Sequence, residues 1–82
     1  MDRIKVYGTQ WCRDTILARK VLDERGTSYE WIDINQDPDA ERIVKDTNHG
    51  NRNVPMIVFT DNSILVEPSR EELEEKLTEL DL

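Results

Sequence analysis

Cysteine occurs once in these 82 residues, at position 12. A single thiol excludes an internal disulfide and any disulfide-stapled scaffold. Aromatic residues are scarce: two Trp, two Tyr and one Phe, too dispersed to form a platform for stacked bases. Basic residues are outnumbered 11 to 18, the formal net charge is -7, and no Lys or Arg forms a run. Nucleic-acid binding needs a clustered basic surface, so that class is excluded as well. Long apolar runs are missing. The longest, Met56-Ile57-Val58-Phe59 with Val54 and Pro55 before it, is far too short to span a bilayer. The opening Met1-Asp2-Arg3-Ile4-Lys5-Val6 lacks the apolar stretch of a signal peptide. With no export signal and no disulfide framework, the expected compartment is the cytoplasm, where thiols stay reduced. The lone His49 lies in a polar loop far from Cys12, which is not a ligand set for a metal.

What is present is charge and alternation. Charged residues make up 35% of the chain. The acid concentrates late, in Glu67 and in Glu71-Glu72-Leu73-Glu74-Glu75, and reads as the solvated face of a helix. Residues 1–82 suffice for one small domain, which buries only about 60–65% of the surface of its unfolded chain. Any chemistry should therefore sit at or near the surface.

The elements alternate in type. Ile4-Lys5-Val6-Tyr7 is a short strand ended by Gly8. From Arg13 to Arg25 the apolar residues Leu17, Ala18, Val21 and Leu22 recur at spacings of three and four, which predicts a helix. Gly26 sits where a left-handed C-terminal cap belongs. Ser28 to Ile34 alternates and is rich in strand formers. Asp37-Pro38 reads as an N-cap followed by proline at the first helical position. Ala40, Ile43, Val44 and Thr47 then mark the apolar face of a second helix. Pro55 opens a strand through Phe59, Asp61-Asn62 turns, and Ile64-Leu65-Val66 returns as the second strand of a hairpin. Ser69-Arg70-Glu71-Glu72 fits a capping box, with Leu73, Leu77 and Leu80 as the stripe of a last helix. The order is β-α-β-α-β-β-α. The first crossover implies a parallel pair and the hairpin adds antiparallel strands. The expected α/β architecture is a four-stranded mixed sheet flanked by helices on both faces, the plan of the thioredoxin-like fold.

In that order Cys12 falls after a strand and a turn, at the start of the first helix. The first turn of a helix offers backbone N–H groups without partners, and partial positive charge. A thiolate there accepts those hydrogen bonds, which favours the ionised form that attacks. Arg13 adds positive charge next door and Asp14 opposes it. Asn53-Val54-Pro55 precedes the hairpin. A proline at the start of a central strand is unusual, and such prolines often carry a cis peptide bond. The backbone beside it could pair with an extended peptide as a short strand would. Glu67-Pro68-Ser69 opens the last helix, where free N–H groups could hold an anion or be capped by Ser69 itself.

Together these features resemble the glutaredoxin family. The resemblance covers nearly the whole chain. It is carried by Val6-Tyr7-Gly8-Thr9-Gln10-Trp11-Cys12, Tyr29-Glu30-Trp31-Ile32-Asp33-Ile34, Asn51-Arg52-Asn53-Val54-Pro55 and Phe59-Thr60-Asp61-Asn62-Ser63. Within the family the loop Asn48–Arg52 and the close Glu67-Pro68-Ser69 are most similar to the mycoredoxin type. The resemblance implies that Cys12 is the nucleophile. It implies that the Val54 backbone pairs with the cysteine moiety of a bound thiol, and that Pro55 faces the sulfur. Trp11, Arg13, Arg52, Asn53, Pro68 and Ser69 fall where substrate-contacting groups lie. Family members with two thiols carry Cys-x-x-Cys; here the fourth position is Thr15, whose hydroxyl is expected to point at the Cys12 sulfur. Glutaredoxins that hold glutathione end the last strand with Gly-Gly-x-Asp, replaced here by Val66-Glu67-Pro68-Ser69.

The activity implied is a monothiol one. Cys12 would reduce mixed disulfides between proteins and a low-molecular-weight thiol, with mycothiol, bacillithiol or glutathione as co-substrate. No bound cofactor or metal is expected, and nothing demands a dimer. Two other readings stay open: a thioredoxin-fold binding module without chemistry, and an iron–sulfur-cluster carrier. The second departs from the Cys-Gly-Phe-Ser signature of such carriers: Arg13-Asp14 replaces Gly-Phe, and Arg13 would crowd a cluster shared between two chains.

Overall fold

The computed structural model describes residues 3–82; Met1 and Asp2, at the start of the expected 1–82 domain, lie outside the described residues. The chain runs β1 (Ile4–Gly8), α1 (Arg13–Glu24), β2 (Tyr29–Asp33), α2 (Pro38–Thr47), β3 (Met56–Val58), β4 (Ile64–Val66) and α3 (Arg70–Glu79). The sheet order is β2-β1-β3-β4. β1 pairs in parallel with β2, from Ile4 opposite Tyr29 to Gly8 opposite Asp33. β1 and β3 are antiparallel, with Val6 opposite Ile57, and β3 and β4 form the hairpin. This is the thioredoxin-like arrangement expected from the alternation of elements.

Strand alternation splits the core in two. Ile4 and Val6 of β1 and Ile57 of β3 face α1 and α3, where they meet Ala18, Val21, Leu22, Leu73 and Leu77. Tyr7 and Met56 face the other way, against Ile34 and the α2 residues Ala40 and Val44. Fully burying one such aliphatic side chain contributes roughly 1.5–3 kcal/mol, and the two clusters clamp the sheet from both sides.

Local signals set the helix ends. Asp37 accepts from the backbone N–H of Asp39 and Ala40, both at 3.1 Å, with Pro38 at the first helical position. Ser69 and Glu72 close a reciprocal capping box on α3. α1 ends in paired bonds from Gly26 N to Asp23 O and from Thr27 N to Leu22 O, with Gly26 at φ 69°. That positive φ is where glycine carries no steric penalty.

Three expectations change. Ile43, assigned to the apolar face of α2, is 47% exposed, because only Ala40 and Val44 of that helix reach the sheet. Leu17 is half-buried, and the inward position one turn before Ala18 is taken by Thr15. The strand expected from Pro55 to Phe59 is shorter, at Met56–Val58. No helix among the described residues is long and apolar enough to cross a membrane.

Candidate active site

The sheet topology brings four loops to one edge. The parallel strands β1 and β2 both end there, at Gly8 and Asp33, and Ile34 N donates to Gly8 O at 3.0 Å. β3 runs the opposite way, so the segment before Met56 arrives at the same edge. β4 leaves there, and Glu67 N donates to Pro55 O at 2.8 Å. The carboxyl ends of parallel strands are the usual location of ligand crevices in open α/β sheets.

Cys12 is the N-cap residue of α1, with extended backbone (φ -78°, ψ 122°), and its carbonyl accepts the first helical bond from Ile16 N at 3.0 Å. Its side chain is half-buried. The sulfur makes no capping bond to its own helix. In the thiol form the first-turn contacts expected of the thiolate are not made, and the side chain turns towards the loop before β3. It donates to Val54 O at 3.8 Å, joining residues 42 apart in the chain. The Val54–Pro55 peptide bond is cis.

Thr15 does not point its hydroxyl at the Cys12 sulfur. The residue is fully buried, and Oγ1 has no hydrogen-bond partner. It sits on the inward face of α1 with Ala18, Val21 and Leu22, pressed onto the backbone of β1 at Gly8. A Cβ at Gly8 would lie 2.5 Å from Thr15 Cγ2 and 2.7 Å from Oγ1. The lack of a side chain at Gly8 is what lets the first turn of α1 approach the strand. Thr15 thus serves packing, and the direction of the helix face overrides the sequence spacing that suggested a catalytic contact.

The other expected residues divide into two groups. Trp11 stands out at 87% exposed, and Arg13 is exposed with no ion pair among the described residues. Both border Cys12 in sequence. Asn53 is exposed beside half-buried Val54 and buried Pro55. Pro68 is buried. The N-terminus of α3 is not an open anion site: Ser69 Oγ accepts from Glu72 N at 3.1 Å, and Glu72 Oε1 accepts from Ser69 N at 2.9 Å. Glu67, just before it, is held at φ 50°, a conformation rare for a residue with a side chain.

Arg52 is not free either. Its Nε donates to Glu41 Oε2 at 2.6 Å, and a terminal nitrogen donates to Asn35 Oδ1. Lys45 also lies 3.7 Å from Glu41. The hydrogen-bonded Arg52 guanidinium, with Lys45 behind it, holds the Glu41 carboxyl below the usual carboxylate range. Glu41 and Asn35 escaped the sequence reading. Glu41 lies on the polar side of α2, and a pairing across 11 residues leaves no periodic signal. Among the described residues, no group of His, Cys, Asp and Glu is arranged to hold a metal.

The glutaredoxin family model matches residues 4–64, from β1 through the start of β4. The chain belongs to the glutaredoxin family. As a glutaredoxin it shares 35% identity over 80 residues with mycoredoxin 1 of Corynebacterium glutamicum, covering 98% of this chain and 99% of that protein. A protein named as a glutaredoxin in Mycobacterium tuberculosis is 32% identical over 77 residues, covering 94% of this chain and 92% of its own length. Among solved structures, NrdH-redoxin from Escherichia coli superposes with a TM-score of 0.75 at 19% identity, covering 90% of this chain and 93% of its own. A glutaredoxin from Archaeoglobus fulgidus gives 0.72 at 22% identity, over 92% and 85%. At those identities the structures establish the thioredoxin-like fold alone. Membership of the glutaredoxins makes this a redox protein of the thiol–disulfide oxidoreductase kind.

Proposed function

We propose that this glutaredoxin is a cytoplasmic, monomeric, monothiol oxidoreductase that removes a low-molecular-weight thiol from mixed disulfides with proteins or peptides. The observation that carries this reading is the position of the sole thiol. Cys12 sits half-buried at the N-cap of α1, with its thiol directed at the Val54 carbonyl beside the cis Val54–Pro55 bond. With Thr15 at the fourth position, no second thiol of this chain can resolve an intermediate.

The cycle has two exchanges. The Cys12 thiolate attacks the sulfur that belongs to the small thiol in the mixed disulfide. The old S–S bond breaks, the protein thiolate leaves and takes a proton from solvent, and Cys12 becomes disulfide-linked to the small thiol. A second molecule of small thiol, as thiolate, attacks the small thiol's sulfur in that adduct, and Cys12 leaves as thiolate. This releases a symmetric small-molecule disulfide and regenerates Cys12. The net change converts the mixed disulfide and one free small thiol into a protein thiol and a symmetric small-molecule disulfide.

The Cys12–Val54 contact uses the thiol hydrogen. The attacking thiolate has none to give, so attack requires that contact to be released. The Val54 backbone then becomes available to the cysteine moiety of the incoming thiol, beside Pro55. On this reading Trp11, Arg13, Arg52, Asn53, Pro68 and Ser69 supply contacts to the bound small thiol, as the family resemblance implies. Mixed-disulfide turnover with mycothiol, bacillithiol or glutathione as reductant tests the reading: activity with at least one of them, abolished in Cys12→Ser, supports it.

A further inference from the structure

We propose that Glu41 is a specificity-determining residue of this groove: by holding and neutralising Arg52, it disfavours small thiols that carry carboxylates. The inference rests on the mixed-disulfide reading above and deepens it. Three observations at the same sheet edge support it.

First, Arg52 lies two residues before Val54, whose carbonyl meets the Cys12 thiol. An arginine there would ordinarily be a fork for a substrate carboxylate. Here Nε is already committed to Glu41 at 2.6 Å and a terminal nitrogen to Asn35. A ligand carboxylate must either displace Glu41 or approach a pair whose charges cancel. Second, the other natural anion position is closed. The first-turn N–H groups of α3 face a capping box, and the Glu72 carboxylate stands there in place of a ligand. Third, Glu67 is held in the left-handed region at the same corner, tied through its N–H to Pro55 O at 2.8 Å. A strained residue kept at a ligand groove invites a functional explanation. Glu67 is exposed and adds one more negative charge at this end of the sheet. Arg13 remains as a cation near Cys12, but Asp14 follows it in the first turn of α1.

Glu41 and Glu72 thus occupy the Arg52 guanidinium and the α3 N-terminus, two groups that would otherwise attract a carboxylate. Charge arranged in this way acts by discrimination more than by raw affinity. Glu41 touches no reacting atom; it acts through Arg52.

The test compares charged and uncharged partners of Cys12 by two independent routes. The first is the ratio of alkylation rates of Cys12 by iodoacetate and iodoacetamide, which needs no redox activity. The second is the single-turnover ratio for one peptide carrying either glutathione or 2-mercaptoethanol in mixed disulfide. Glu41→Gln should raise both ratios by about threefold, one unit charge acting over a partly solvated distance. Glu75→Gln, the same charge change on the exposed side of α3, should leave them in place. Adding Arg52→Ala to Glu41→Gln should bring both ratios back to the wild-type level or below. If Glu41→Gln moves the alkylation ratio no more than Glu75→Gln does, the inference is overturned. It is overturned equally if both mixed disulfides react and their ratio stays fixed. If neither mixed disulfide reacts while the alkylation ratio moves as stated, the charge arrangement stands and the monothiol reading falls.

Discussion

Thr15 packs so closely against Gly8 that the strand has no room for a side chain at that position. A methyl group there would meet Thr15 Cγ2 at 2.5 Å and Oγ1 at 2.7 Å. Since Thr15 is fully buried, it cannot swing away. Gly8→Ala should therefore destabilise the fold by about 1–3 kcal/mol, the usual cost of overpacking. Thr15→Ala should recover part of that loss. Urea unfolding of the two single variants and the double variant checks this, with a coupling of at least about 0.5 kcal/mol expected between residues in contact.

The Thr15 hydroxyl is buried without a hydrogen-bond partner. Such a group costs about 1–3 kcal/mol relative to an apolar one of the same shape. Thr15→Val should raise stability by about 1 kcal/mol, or roughly 4–8 °C in a thermal melt of a domain this size. Single-turnover attack by Cys12 should persist in this variant. A tenfold loss of rate with unchanged stability would instead assign the hydroxyl a part in the chemistry.

Glu67 adopts φ 50°. A residue with a side chain costs about 1–2 kcal/mol there, partly offset by the extra chain entropy that glycine loses on folding. Glu67→Gly should stabilise the protein by about 0.5–1 kcal/mol in chemical denaturation. The same substitution removes one negative charge from the end of the sheet that carries Cys12, so it should also raise the iodoacetate-to-iodoacetamide ratio at Cys12.

Glu41 titrates below the usual carboxylate range, chiefly because of the hydrogen bond from Arg52. A folded-state value below the unfolded one means that the pair contributes stability above the unfolded carboxylate range. That contribution fades as pH falls through the lowered folded value. NMR titration of the Glu41 carboxyl carbon should show a midpoint below 4.5, the ordinary value for Glu. In Arg52→Ala the midpoint should move back up towards it.

Much of the architecture was legible because local rules and global packing agree. The Asp37-Pro38 start of α2, the Ser69–Glu72 box and the Gly26 cap are signals of a few residues each, and all three occur as read. The meeting of Cys12 with Val54-Pro55 was implied by the family resemblance, and the structure supplies its cause: an antiparallel β3 returns its start to the end of β1. What escaped depends on direction or on long-range pairing. Periodicity placed Thr15 on α1, but its buried rotation against Gly8 is a tertiary fact. The Arg52–Glu41–Asn35 cluster joins a loop, a helix and a strand end, and no spacing announces it. Ile43 shows the limit of an apolar pattern, which marks a face without saying how far the sheet beneath it extends.

The most direct measurement is turnover of a peptide carrying a small thiol in mixed disulfide, with mycothiol, bacillithiol and glutathione each supplied as reductant. Wild-type protein should release the peptide thiol with at least one of them and accumulate a Cys12 adduct of that small thiol by mass spectrometry when reductant is limiting. Cys12→Ser should form no adduct and show no turnover. Activity retained in Cys12→Ser, or no reaction of wild type with any of the three, would contradict the role assigned to Cys12.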